Sequence, residues 1–212
     1  IVGNNYLLKG ADMGRNRNNV LNTESQVINQ ADAETSNDGL FPQKKLFIQP
    51  NIGLEIDVRK PVIEILNASL ANEAVLTQKT RGAHWNVSGT SFFELHILFE
   101  TQYKQLNEIS DKIAERVRML GGITIASFEE FIKHSRISEH SAEIPDNLHL
   151  LADHETIIRF LREDIRKCSE EYEDEGTVEL LVGVMSLHEK MAWMLRAYIE
   201  NESVIGESQK RK

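Results

Sequence analysis

Residues 92–122 read FFELHILFETQYKQLNEISDKIAERVRMLGG. Phe92, Leu95, Phe99, Leu106, Ile109, Ile113, Val117 and Leu120 recur at steps of three and four or their sum, and the run stops at Gly121-Gly122. That spacing predicts one amphipathic helix of about eight turns with an apolar stripe facing a core. Upstream, the segment from Pro61 to Trp85 carries apolar residues at the same period, with Pro61 suited to a first helical turn and Gly89 marking the break before the next helix. Downstream, Ser127-Phe-Glu-Glu130 has the form of a capping box and predicts a short helix to about His134. A third long helix is expected from Pro145-Asp146 through Leu148, Leu151, Ile158, Leu161, Ile165 and Cys168. A fourth is expected from Thr177 through Leu180, Val184, Leu187, Met191 and Leu195 to about Glu200. Four long amphipathic helices with almost no strand signal make an all-α four-helix bundle, with a short extra helix in the long connection between the second and third.

Composition agrees with one domain and two tails. The chain has 212 residues, of which 41% are hydrophobic and 27% charged, enough for one well-built core and too few for two. No apolar run is long enough to span a membrane. The opening residues lack the basic head and apolar run of a secretory leader, so none is expected at this start. A single cysteine, Cys168, excludes an internal disulfide and leans toward a reducing, cytoplasmic setting. Residues 1–50, rich in Asn, Asp, Ser and Gln, read as a flexible N-terminal arm; residues 51–201 read as the bundle domain and 202–212 as a basic tail ending in Lys210, Arg211 and Lys212. With a net charge of -9, contact with DNA would have to use that tail and the few basic residues of the arm.

On the second long helix His96 and Glu100 stand four apart, as do Asp111 and Glu115, so each pair shares a helical face away from the apolar stripe. Fifteen residues, about 22 Å along the axis, separate the pairs. One cation cannot reach both pairs on one helix. A second copy running antiparallel across a two-fold axis would bring one chain's His96 and Glu100 to the other's Asp111 and Glu115. The alternative is a solvated face, with Asp111 and Glu115 pairing with neighbouring Lys112, Arg116 and Arg118. Mixed imidazole and carboxylate donors suit iron, zinc or manganese. No Glu in the chain is followed by His three residues on, which argues against an iron pair bound inside one bundle.

The stretch HWNVSGTSFFELHILFE, residues 84–100, followed fifteen residues after His96 by DKIAERVRMLGG, resembles the two signatures of the Dps family, the mini-ferritins that protect DNA in starved or oxidatively stressed cells. The Trp of EKMAWML also fits, and the resemblance spans roughly residues 55–200. Ser110 and Thr124 depart from the family pattern at positions that hold no ligand, and Glu100 stands where many relatives have Asp. The resemblance implies a ferritin-like bundle assembled as a dodecameric shell. It implies a ferroxidase site of His84, His96 and Glu100 from one subunit with Asp111 and Glu115 from its two-fold mate. Iron is the expected metal, with zinc competing for the same ligands, and hydrogen peroxide the expected oxidant. Trp85 and Trp193 would support the redox step or else pack in the core. Glu170, Glu171, Asp174 and Glu179 would belong to the acidic lining of pores through which iron enters. DNA condensation through the tails is the competing function. His134, His140, His149, His154 and His188 show no ligand spacing; His149 and His154 are expected to be structural.

Overall fold

The computed structural model describes residues 48–139 and 144–210, with side chains described as far as Glu200. Five helices follow one another: α1 (Ile56–Asn86), α2 (Phe92–Met119), α3 (Phe128–His134), α4 (Asn147–Glu170) and α5 (Glu175–Lys210). α1 packs along α2 and α4 along α5; α1 also touches α4, and α2 touches α5. Two helical hairpins therefore face each other, and the long connection between them lays α3 against α1. The all-α bundle with its extra short helix is as expected from the spacing of apolar residues.

α1 starts five residues earlier than Pro61. The Glu55 carbonyl accepts the N–H groups of Val58 and Arg59 at 3.1 and 3.0 Å, so Pro61 falls in the second turn. Its missing N–H leaves the carbonyl of Asp57 without an intrahelical donor, which costs little because Asp57 is exposed. α2 keeps Leu95, Phe99, Leu106, Ile109, Ile113, Val117 and Leu120 buried, but Phe92 is 44% exposed. Gln102 fills the gap between Phe99 and Leu106 on the buried face.

The end of α2 explains its double glycine. Gly121 has φ +83°, in the left-handed region that glycine enters without a Cβ penalty. Gly122 N–H closes the helix on the Val117 carbonyl at 3.0 Å. A Cβ on Gly122 would lie 2.8–3.0 Å from the side chain of fully buried Ile63 on α1. Gly122→Ala is therefore expected to cost about 1–3 kcal/mol through overpacking, read as a lower denaturation midpoint with an unchanged slope.

α3 carries the predicted capping box: Ser127 Oγ accepts from Glu130 N–H, and Glu130 Oε2 accepts from Ser127 N–H. In α4 the expected face is met in part: Leu161 and Cys168 are buried and Leu151 and Ile165 pack against the core, but the centre of the buried face is shifted. Leu148 is 59% exposed, and the core is met by Leu150, His154, Ile157, Leu161, Asp164 and Cys168. Two polar residues on that face hid it from a count of apolar positions. Asp164 accepts from Arg136 Nη2 at 2.6 Å, while His154 pairs with His188 of α5. Burial pushes the Cys168 thiol up to about 12, with Asp164 and Asp174 adding to the effect, so this cysteine stays protonated and unreactive.

α5 begins at Glu175, two residues before the expected start, and continues past Glu200 to Lys210. Of the basic terminus, Lys210 thus ends the helix, while Arg211 and Lys212 lie outside the described residues, as does the arm up to residue 47. No described helix is long and apolar enough to cross a membrane.

Candidate metal centre

His84 lies in the last turn of α1 and His96 near the start of α2, and the short turn between them passes through Gly89 at φ +96°. This turn folds the two helix ends back on each other. The imidazoles stack with centroids 3.8 Å apart and planes 21° apart. Each is tied to the other residue's backbone: His84 Nδ1 donates to the His96 carbonyl at 2.8 Å, and His96 Nδ1 donates to the His84 carbonyl at 3.0 Å. A carbonyl only accepts, so both protons sit on Nδ1, and each Nε2 keeps its lone pair. Orienting a histidine through its second nitrogen in this way is the usual means of preparing the first for a metal. Tyr103 meets His84 edge-on at 5.4 Å and Phe92 stacks on His96 at 5.0 Å, closing the apolar side.

Glu100 follows His96 by one turn. Lys104 Nζ lies 2.5 Å from its Oε1, and the Glu100 side chain is 38% exposed. The hydrogen bond from Lys104, then the charge of Lys104, hold the Glu100 carboxyl below the usual range, with the two histidines adding to the effect. Asp111 and Glu115 are exposed farther along α2. The chain thus brings His84 and His96 together, with Glu100 one turn away, and leaves Asp111 and Glu115 apart from them. No three His, Cys, Asp or Glu donors converge among the described residues. Glu115 instead borders a groove of about 480 Å³ between α2 and α5, and Glu179 stands on the same rim.

Neither tryptophan packs in this chain's core: Trp85 is 65% exposed and Trp193 61%. The acidic junction also needs correction at one residue. Asp174 is buried and turned inward, accepting from Arg116 Nη2 at 2.6 Å, from Thr177 N–H at 3.1 Å and from the Thr177 hydroxyl at 2.6 Å. It caps α5 and ties it to α2, and neither oxygen is free to line a pore. Glu170, Glu171 and Glu179 are exposed.

His149 is a surface capping residue, its N–H and Nδ1 both bonded to Asp146 Oδ1. His154 is buried, as a structural reading expects, yet it belongs to a cluster with His188 and Glu73 that spacing from one helix could not reveal. The signal for His188 was its place in the stripe Leu181, Val184, His188, Met191, Leu195, whose other members are all core residues.

Four long helices packed as two hairpins, joined by one long connection that carries a short helix, fit a ferritin-like architecture. The ferritin-like domain family matches residues 63–204 of this chain. A low temperature-induced protein of Nostoc, itself uncharacterized, is 42% identical over 158 residues, covering 73% of this chain and 88% of that protein. DNA protection during starvation protein 2 of Bacillus anthracis is 35% identical over 145 residues, covering 67% and 99%. Among solved structures, the Dps protein of Vibrio cholerae, described as a member of the ferritin-like diiron-carboxylate superfamily, matches with a TM-score of 0.67. It is 33% identical, covering 71% of this chain and 96% of that one. DpsC of Streptomyces coelicolor matches with a TM-score of 0.70 at 26% identity, covering 78% and 95%. The chain belongs to the ferritin-like family and, within it, to the Dps proteins.

Proposed function

We propose that the chain is an iron-sequestering ferroxidase whose sites are completed across a two-fold interface between copies. The observation that carries this reading is the reciprocal His84–His96 arrangement, which fixes both imidazoles as Nδ1–H tautomers and leaves two Nε2 lone pairs for a cation. His84, His96 and Glu100 of one subunit would bind Fe(II) together with Asp111 and Glu115 of the mate. Carboxylates favour iron in its higher charge state, and zinc would compete for the same donors. Two Fe(II) each give one electron to hydrogen peroxide, whose O–O bond breaks. With two further waters the products are two FeO(OH) and four protons, with no hydroxyl radical released. The ferric mineral would collect inside a dodecameric shell, shielding the cell and its DNA from peroxide chemistry. Lys104 holds Glu100 when iron is absent and must yield as it binds. Trp85, exposed and next to ligand His84, is placed to supply an electron; Trp193 is equally exposed.

The test is anaerobic loading with Fe(II) followed by peroxide, comparing the unmodified protein with His84→Ala/His96→Ala. Equal oxidation rates would refute the assignment. Iron would reach the interior past Glu170, Glu171 and Glu179, exposed at the α4–α5 junction and the start of α5, where subunit symmetry would multiply their negative potential. Replacing these three by Gln is expected to slow iron uptake several-fold in stopped-flow measurements at low salt, with the rate of the preloaded site unchanged. Uptake at the original rate would remove the pore role.

A further inference from the structure

Between the two ligand pairs of α2 the chain places a lysine. Counted at about 100° per residue from His96, Glu100 stands at about 40°, Asp111 at about 60° and Glu115 at about 100°, and Lys104 falls inside that stripe at about 80°. Lys112, at about 160°, lies outside it, so Lys104 is the one basic residue on the stripe between His96 and Glu115. Its ammonium is engaged with a ligand residue: Lys104 Nζ donates to Glu100 Oε1 at 2.5 Å, one turn away. Arg118, on the same stripe beyond Glu115, is bonded to the Gly122 carbonyl. Phe93 and Ile97 also fall on the stripe, and both are exposed, at 68% and 45%. Large apolar side chains beside the ligand residues mark a face that a second copy would cover.

In the interface centre proposed above, on which this inference rests, Glu100 meets Asp111 and Glu115 of the mate. An antiparallel two-fold that sets His96 and Glu100 against those residues crosses α2 near Gln105 and Leu106, so Lys104 lies within about 3 Å of the axis along the helix. Each metal-free centre then gathers three carboxylates, and its two neutral imidazoles do not balance their charge. Carboxylates alone suit cations that bind through oxygen, magnesium and calcium above all. We propose that Lys104 is a specificity-determining residue of the centre: its ammonium occupies Glu100 in the absence of metal, so that only a cation able to take the two imidazoles together with the carboxylates displaces it.

The selectivity follows from the donor types. Magnesium and calcium gain little from the Nε2 lone pairs of His84 and His96, and they meet a centre in which one carboxylate is already neutralised. Ferrous iron and zinc gain both imidazoles, which hold the cation while the ammonium leaves Glu100. A lysine suits that exchange. Its charge is a compact point on a flexible stem, and the side chain is 61% exposed, so the ammonium can swing into solvent without moving α2.

The test measures the Zn(II) affinity of the assembled full chain against a chromophoric chelator, with and without millimolar Mg(II). The unmodified protein is expected to bind zinc equally well in both conditions. Lys104→Met keeps an unbranched stem and removes the charge. It should bind zinc about fivefold more tightly without magnesium, the upper end for one exposed ion pair, and lose that gain when magnesium is added. Lys104→Arg should restore indifference to magnesium. Zinc binding by Lys104→Met that ignores magnesium would overturn the role of Lys104 and leave the centre standing. Equal zinc affinity in His84→Ala/His96→Ala and the unmodified protein would instead overturn the centre, and the role of Lys104 with it. Should Lys104→Met yield only dissociated subunits, magnesium should restore their assembly in gel filtration, and its failure to do so would overturn the proposal.

Discussion

His84→Ala/His96→Ala is expected to oxidise Fe(II) with peroxide at least about 100-fold more slowly than the unmodified protein. Loss of a single orienting partner of a metal ligand already costs about 10–100-fold, and this variant removes two ligands outright. Asp111→Ala/Glu115→Ala should be equally slow, although those residues lie about 22 Å along α2 from His96 and Glu100. Co-assembly of the two inactive proteins distinguishes a shared site from two separate ones. Random pairing makes half of the dimers mixed, and each mixed dimer holds one site with all five ligands, so about one quarter of the sites should recover. Stopped-flow oxidation of refolded mixtures reads this directly. Mixtures as slow as their parents would show that the two ligand groups do not meet across an interface.

The second large effect is on stability. Asp174→Ala should destabilise the bundle by about 3 kcal/mol, because it leaves the partly buried Arg116 guanidinium without its counter-charge and removes the cap of α5. For a chain of this size that corresponds to a fall in unfolding temperature of about 6–12 °C. Glu171→Ala, three residues away and exposed, is the control and should change the temperature by less than about 2 °C. If the two variants melted together, Asp174 would be another member of the surface acid cluster. The distinction matters for iron uptake, since a slow Asp174 variant would report a loosened α4–α5 junction as much as any pore.

The helices were legible because their apolar residues repeat at the helical period over many turns. α2 is the plainest case, with seven of its eight expected stripe residues buried at the steps that predicted them. α4 was read less well for a physical reason. Its buried face includes His154 and Asp164, whose partners His188 and Arg136 lie on other segments, so a periodicity count took Leu148 for a core residue in their place. The polar residues of α1 were similarly opaque. Asn67 bonds the Ile123 carbonyl and Ile125 N–H, and Asn72 accepts from Arg136 N–H, so both hold down the long connection between the hairpins. Nothing within α1 itself indicates that role.

The same division runs through the site. Residue types and their spacing on α2 were enough to place His96 with Glu100 and Asp111 with Glu115, and to show that one chain cannot bring the pairs together, because helix rise and period are properties of the backbone alone. Whether His84 would meet His96 depended on the turn through Gly89. The tertiary structure decided it, by stacking the rings and letting each donate to the other's backbone. Only that arrangement selects the tautomer, since a tautomer is set by the hydrogen bond at the opposite nitrogen and no sequence spacing specifies it. Asp174 was counted among surface acids for a similar reason: its burial follows from Arg116, 58 residues away in sequence and 2.6 Å away in space.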